Sequence, residues 1–378
     1  MKRIGFALLV LFMIAMTGCH NSDHIANKEI YIPILADESW LLADGAFING
    51  VNLAAEEINE KYAGTGYSVR TEILDDQALY EKGVEAATNI LKEEKVTAVF
   101  NLQNFNVSKT TAGILSEEKH PVIFPYGAYD SIFLNNNPYL FCGVASFSDM
   151  GRAMANYAID NGYKRIAVYH NGIQSQEELV NAFELELLGS EGEAKVVDYV
   201  PSISSQSEFE EIYKRWQAIG VDCIVISQYG LDEAFDVLKM IRNKNKDIAI
   251  IGEPIFNRAN ALLDNKEAAE GMIIPSTLVM EDSAELKAFR LRYKEKYQIE
   301  ADIWAIQGYD MLSMLVDSVV NLDTTAYANI AEALHKEEGY QGVGRKIAYQ
   351  DGGSMLIDLK ELTMLVCRDG SFIDVNKK

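Results

Sequence analysis

From residue 29 onward, short β-branched and aliphatic runs alternate with stretches whose apolar side chains recur every three or four positions. "EIYIPILA" (29–36) predicts a strand. "GAFINGVNLAAEEINEKY" (45–62) predicts a helix with Phe47, Val51, Ala54, Ala55, Ile58 and Tyr62 on one stripe. The strand "YSVRTEIL" follows, then a helix turning Val84, Ala87, Ile90 and Leu91 inward, "VTAVF", a helix near 107–118, and "PVIF". A second series begins after "NPYLFCGVAS", with helices at 148–161, 176–188, 207–219 and 231–243 interleaved with "RIAVYH", "AKVVDYV", "DCIVIS" and "IAIIG". Such alternation predicts right-handed βαβ units and parallel sheets, and two series predict an α/β fold of two doubly wound lobes. Helices at 284–297, 302–321 and 325–336 then lead into a glycine-punctuated, strand-rich finish.

The start of the chain breaks this rhythm. Lys2 and Arg3 precede a nearly unbroken apolar run from Ile4 to Gly18, followed by Cys19. That run falls short of the roughly 20 residues a membrane span needs and has the build of an export signal. Met16-Thr17-Gly18-Cys19 resembles the lipobox of bacterial lipoproteins, with Met16 where leucine is usual. The resemblance implies a signal peptide over 1–18, acylation of the Cys19 thiol, and Cys19 as first residue of the mature chain. A thiol suits that reaction because a hydroxyl is a far weaker nucleophile near neutral pH. Residues 19–28 are polar without periodicity and read as a tether, and two acyl chains suffice for stable attachment. The expected location is therefore outside the cytoplasm, in the periplasm or beyond the cell, on a bacterial membrane. The alternative is an uncleaved anchor helix with an incidental cysteine.

The chain has 378 residues, 48% hydrophobic and 24% charged, as a globular protein should. A formal charge of −22 argues against nucleic acid or anionic lipid headgroups as partners. Cys142, Cys223 and Cys367 lie in apolar strand-like runs, and an odd number cannot make a full disulfide framework; buried thiols are expected. The five histidines lack metal-ligand spacing, and neither a GxSxG elbow nor a phosphate-binding GxxxxGK[ST] loop occurs. No metal, cofactor or catalytic residue is predicted, and the chain is not expected to be an enzyme.

In open α/β sheets, ligands bind beyond the carboxyl ends of the strands. The loops there are "DESWLLAD", "NLQNFN", "PYGAYDS", "HNGIQSQ", "SQYGLD" and "GEPIFN", rich in aromatic and amide side chains. Trp40, Phe105, Tyr126, Tyr129 and Tyr229 are candidates for pocket walls, with Gln103, Asn104, Gln228 and Glu253 as hydrogen-bonding groups.

Taken in order, "GVNLAAEEIN", "ILDDQ", "HPVIFPYGA", "NPYLFCGVASFSDMGRAMANYAIDNGYKRIAVYH", "AAEGM", "GYD" and "YQGVGRKIAYQDGG" resemble the type I periplasmic binding proteins of the leucine/isoleucine/valine-binding group. The resemblance covers almost all of 29–375. It implies a solute receptor that closes two lobes on a small molecule and delivers it to an ABC permease. It also implies lobe one over 29–143 with 276–340 and lobe two over 144–275 with 341–378, joined by three crossings. In amino-acid binders of this group a serine and a threonine hold the ligand carboxylate; the matching positions here are Asn104 and Ala128. The acid that meets the ligand ammonium is matched by Pro254, with Glu253 one residue earlier, and the covering aromatic is matched by Tyr229. Glycine after an aromatic in the loop after "RIAVYH" is replaced by Ser175-Gln176. A branched-chain amino acid is the group's default, while an aromatic acid or an amide suits the loop composition. A sensor of the same fold, an exported enzyme and a surface lipoprotein that binds protein remain open as alternatives.

Overall fold

The structure is a computed structural model and describes residues 28–376, apart from 94, 128, 134, 172–173, 191–193, 229, 278–282, 337 and 361. The expected signal peptide, Cys19, nearly all of the tether, Ala128 and Tyr229 lie outside the described residues. Among the described residues, no helix is long and apolar enough to cross a membrane.

Two sheets organise the chain. The first contains β1 (Lys28–Ala36), β2 (Tyr67–Asp75), β3 (Val99–Asn101), β4 (Val122–Phe124) and β5 (Leu140–Cys142), all parallel in the order β2-β1-β3-β4-β5. The second contains β6 (Arg165–His170), β7 (Lys195–Val200), β8 (Cys223–Ser227), β9 (Ala249–Gly252) and β10 (Ile273–Pro275) in the same winding, β7-β6-β8-β9-β10. A two-stranded ribbon, β11 (Tyr340–Gln341) and β12 (Lys346–Ile347), stands apart. The last strands, β13 (Met364–Arg368) and β14 (Ser371–Asp374), join the second sheet antiparallel beside β10. The second sheet is therefore mixed rather than purely parallel. The chain re-enters the lobe only for its final hairpin, and a hairpin pairs antiparallel.

The predicted helices form with small shifts at their ends, and several short unpredicted ones appear in the loops after strands. "DESWLLAD", read as loop, contains the helix Glu38–Asp44, because the Asp37 carboxylate accepts the N–H groups of Ser39 and Trp40 as an N-cap. Gly45, with φ of 72°, ends it and begins the helix Ala46–Lys61. That helix packs against Ile303–Leu322 at backbone contact distance. A Cβ on Gly308 would sit 2.2 Å from the Phe47 carbonyl oxygen, and one on Gly50 would sit 2.0 Å from that of Ala305. Gly308→Ala is expected to cost about 1–3 kcal/mol, read by urea unfolding, because backbone rather than a side chain must give way.

Separate cores mark the lobes. Ile30, Phe47, Phe100, Phe141, Phe289 and Trp304 belong to the first, and Val168, Phe183, Trp216, Ile224 and Phe256 to the two clusters flanking the second sheet. The first crossing falls between Val144 and Ala145, which join different cores. The last crossing falls later than the expected division at 340/341. Ile347, Tyr349 and Met355 are buried in the first core, whereas Leu362 and Met364 belong to the second lobe. Apolar side chains at 347, 349 and 355, together with the bond from Cys142 N–H to Gly353 O (2.8 Å), hold that segment on lobe one. Cys142, Cys223 and Cys367 are buried free thiols.

Candidate functional site

In both sheets the winding reverses beside the first strand: between β1 and β3 in lobe one, and between β6 and β8 in lobe two. Such reversals open a crevice at the strands' carboxyl ends. The lobes also touch there, through the segments that follow β1, β4, β5, β6 and β9. The Asp130 N–H donates to Glu178 Oε2 (3.0 Å), and Ser131 Oγ donates to Glu178 Oε1 (3.0 Å). The Ser148 N–H donates to Asp130 Oδ2 (3.3 Å), and the rings of Tyr129 and Phe147 approach to 5.3 Å. On another part of the seam, Arg258 Nη1 donates to Asp44 Oδ2 (2.9 Å) and to Tyr126 Oη (3.1 Å).

Lobe one presents an aromatic wall centred on Tyr126. Its ring stacks on Trp304 at 4.2 Å and 7°, meets the edge of Trp40 at 5.2 Å, and lies 5.4 Å from Phe47. Trp40 stands at the start of the Asp37-capped helix and keeps 43% of its surface exposed. Trp304 is fixed by the Asp302 carboxylate, which accepts the N–H groups of Trp304 and Ala305 at 2.9 and 3.0 Å. Burial pushes the Asp302 carboxyl up to about 6, against the opposing pull of Arg258. Phe105 packs on Tyr129 at 4.6 Å, at the margin where the two lobes meet.

Lobe two presents oxygen acceptors. Glu253 follows β9 and is 3% exposed; Oε1 accepts from Ser227 Oγ and Oε2 from Gln176 Nε2 (3.2 Å). Burial drives its carboxyl up to about 7, with the bonds from Ser227 and Gln176 pulling the other way. Gln228 follows β8 and Asn171 follows β6. Among the described residues, buried Gln228 Oε1 and Asn171 Oδ1 have no hydrogen-bond donor. Strand pairing sets His170 opposite Ser227 and Ile226 opposite Gly252, so at the carboxyl ends Ser227 comes beside Glu253 and Gln228 beside Asn171.

The structure thus brings Trp40 and Tyr126 together in lobe one, and in lobe two it joins Glu253 to Ser227 and Gln176, with Gln228 buried one residue beyond Ser227. Asn104 is the exposed N-cap of the helix Phe105–Glu117, and its side chain makes no capping bond. Gln103 turns between helices instead: its Oε1 accepts from Thr111 Oγ1 (2.6 Å), and its Nε2 lies beside Gly83. It supports the loop from behind, because a buried amide is drawn to the Thr111 hydroxyl. Sequence reasoning missed Arg258, Trp304 and Asp44 as members of this region. Asp302 two positions before Trp304 is a capping signal, and Arg258 is the lone cation after "GEPIFN"; both were legible, but their convergence was not.

A family model described as "Periplasmic binding protein" matches residues 29–356. Among solved structures, an ABC transporter substrate-binding protein from Desulfitobacterium hafniense in complex with Leu is 23% identical with a TM-score of 0.80, covering 92% of this chain and 100% of that one. The branched-chain amino acid transporter substrate binding protein of Streptococcus pneumoniae, in complex with isoleucine, is 20% identical with a TM-score of 0.77, covering 92% and 100%. A solute binding protein of R. palustris in complex with benzoate is 19% identical with a TM-score of 0.77, covering 92% and 95%. At these identities the likeness is one of fold. No curated protein matches the sequence.

Proposed function

The chain belongs to the periplasmic binding protein family, and from that premise we propose that it is an extracytoplasmic receptor that captures a small amine-bearing molecule between its lobes. It passes the molecule unchanged to an ABC permease. An amino acid or a related compound fits best. The observation that carries this reading is the buried Glu253 carboxylate just past the end of β9, in the same set of lobe-two loops as the buried Gln228 Oε1 and Asn171 Oδ1. The two amide oxygens, which lack a donor among the described residues, and the Glu253 charge suit a ligand ammonium, since a buried charge must meet a partner or cost several kcal/mol, about 2–5.

In this reading Trp40, Tyr126 and Tyr229 enclose the ligand's apolar part. Its carboxylate meets backbone N–H groups around Asn104 and Ala128, where the helix Phe105–Glu117 begins without a side-chain cap. A simple aromatic acid fits less well, because the guanidinium at this seam, Arg258, is already paired with Asp44. Cys19 supplies the lipid anchor, on the strength of the lipobox-like Met16-Thr17-Gly18-Cys19.

A thermal-shift screen of the protein from His20 onward, against amino acids, amides and aromatic acids, tests the proposal. An amine-bearing compound is expected to stabilise the fold by about 2.7 kcal/mol at a hundredfold excess over its dissociation constant. Stabilisation by aromatic acids alone would contradict the assignment of ligand class.

A further inference from the structure

Arg258 is carried by lobe two, between Phe256 and Leu262, which are both buried in that lobe's core. Its side chain leaves that core. Nη1 bonds Asp44 Oδ2 at 2.9 Å and Tyr126 Oη at 3.1 Å, and the guanidinium lies over the rings of Trp304 (4.8 Å) and Tyr126 (5.2 Å). Every one of these partners belongs to or packs on lobe one, and so does Asp302, whose charge also acts on Arg258. The arginine side chain is only 8% exposed.

We propose that Arg258 is a positioning residue that latches the lobes together, so that the cleft opens only when its guanidinium withdraws from Asp44 and from the Tyr126–Trp304 stack. Arginine suits this role because its planar cation bonds a carboxylate at its edge while lying flat on aromatic faces. Withdrawal separates a largely desolvated ion pair, whose Asp44 side chain is 25% exposed. The latch thereby biases the population of the closed form, and apparent ligand affinity follows that population. Tyr126 joins the two tasks, since it lines the aromatic wall and binds the latch. This inference rests on the two-lobed receptor reading, but its test needs no ligand.

The test is amide hydrogen exchange on the full chain, comparing wild type with Arg258→Gln, Asp44→Asn and Arg258→Lys. The informative probe is the Asp130 N–H, which is held across the seam by Glu178 and contacts neither Arg258 nor Asp44. If Arg258 latches the lobes, exchange at Asp130 rises at least tenfold in Arg258→Gln and in Asp44→Asn, and less in Arg258→Lys. Faster exchange confined to 40–48 and 254–262, with Asp130 unchanged, would overturn the proposal in favour of local packing. Should Arg258→Gln lose protection throughout β1, Asp44→Asn decides, because its half-buried site tolerates an isosteric amide. Failure of every candidate ligand to bind would leave the exchange result intact, so the two proposals fail separately.

Discussion

Glu253→Gln is expected to weaken capture of the amine-bearing ligand about a hundredfold, about 2.7 kcal/mol, while making the free protein more stable above neutral pH. Both effects come from one buried carboxylate. Its pKa is about 7 in the folded chain, above an ordinary value of 4.5, and burial is the main cause. Between those values the unfolded chain releases the proton and the folded chain keeps it. Stability therefore falls as pH rises from about 4.5 to about 7, and levels off above, at a total of about 3 kcal/mol. Glutamine retains groups able to bond Ser227 and Gln176 and does not ionise. The variant should match wild type in urea unfolding near pH 4.5 and exceed it at pH 8. Ligand affinity should fall below about pH 7 in wild type and show no such fall in the variant. Equal affinity for the identified ligand would remove Glu253 from the site.

Arg345→Met is expected to cost about 3–5 kcal/mol, the range for removing one member of a buried charged network. Arg345 is 1% exposed at the first crossing between lobes. Its Nη2 donates to Gly143 O (2.8 Å) and Gln307 Oε1 (2.5 Å), while Gln307 Nε2 donates to the same Gly143 carbonyl (2.6 Å). Nearby Asp310 accepts from the Val343 N–H at 2.8 Å. Burial lowers the guanidinium to about 10 and raises the Asp310 carboxyl to about 6, and each charge partly offsets the shift of the other. Methionine removes the cation and leaves Asp310 and the Gln307 amide oxygen buried without it. Adding Asp310→Asn should recover at least about 1 kcal/mol, because the two residues share one network. Additive losses in urea unfolding would show that they act independently.

Much of the fold was legible because its signals are local. Phe47, Val51, Ala54 and Ile58 recur at helical spacing, and all four are buried in the first core. The strand runs of both series pair in parallel registers. Two features escaped because they depend on partners distant in sequence. Whether 341–355 joins lobe one depends on Ile347, Tyr349 and Met355 finding that core, which no local pattern encodes. The site divides the same way. Trp40, Tyr126, Gln228 and Glu253 were nominated by lying just after strands; Trp40 and Tyr126 touch in lobe one, and Gln228 and Glu253 are buried in lobe two. Gln103 satisfied that same positional rule yet turns to Thr111, because a strand's end fixes where a loop begins and not where a side chain points. Arg258 meets Asp44 across 214 positions of chain, a separation that only the folded lobes bridge.

The central claim is that a small molecule is held between two lobes that close on it. Small-angle X-ray scattering of the protein, with and without the compound that most stabilises it, tests this directly. The radius of gyration should fall on saturation with ligand, and it should fall with the same concentration dependence as the thermal shift. An unchanged scattering profile at saturation would contradict capture by lobe closure.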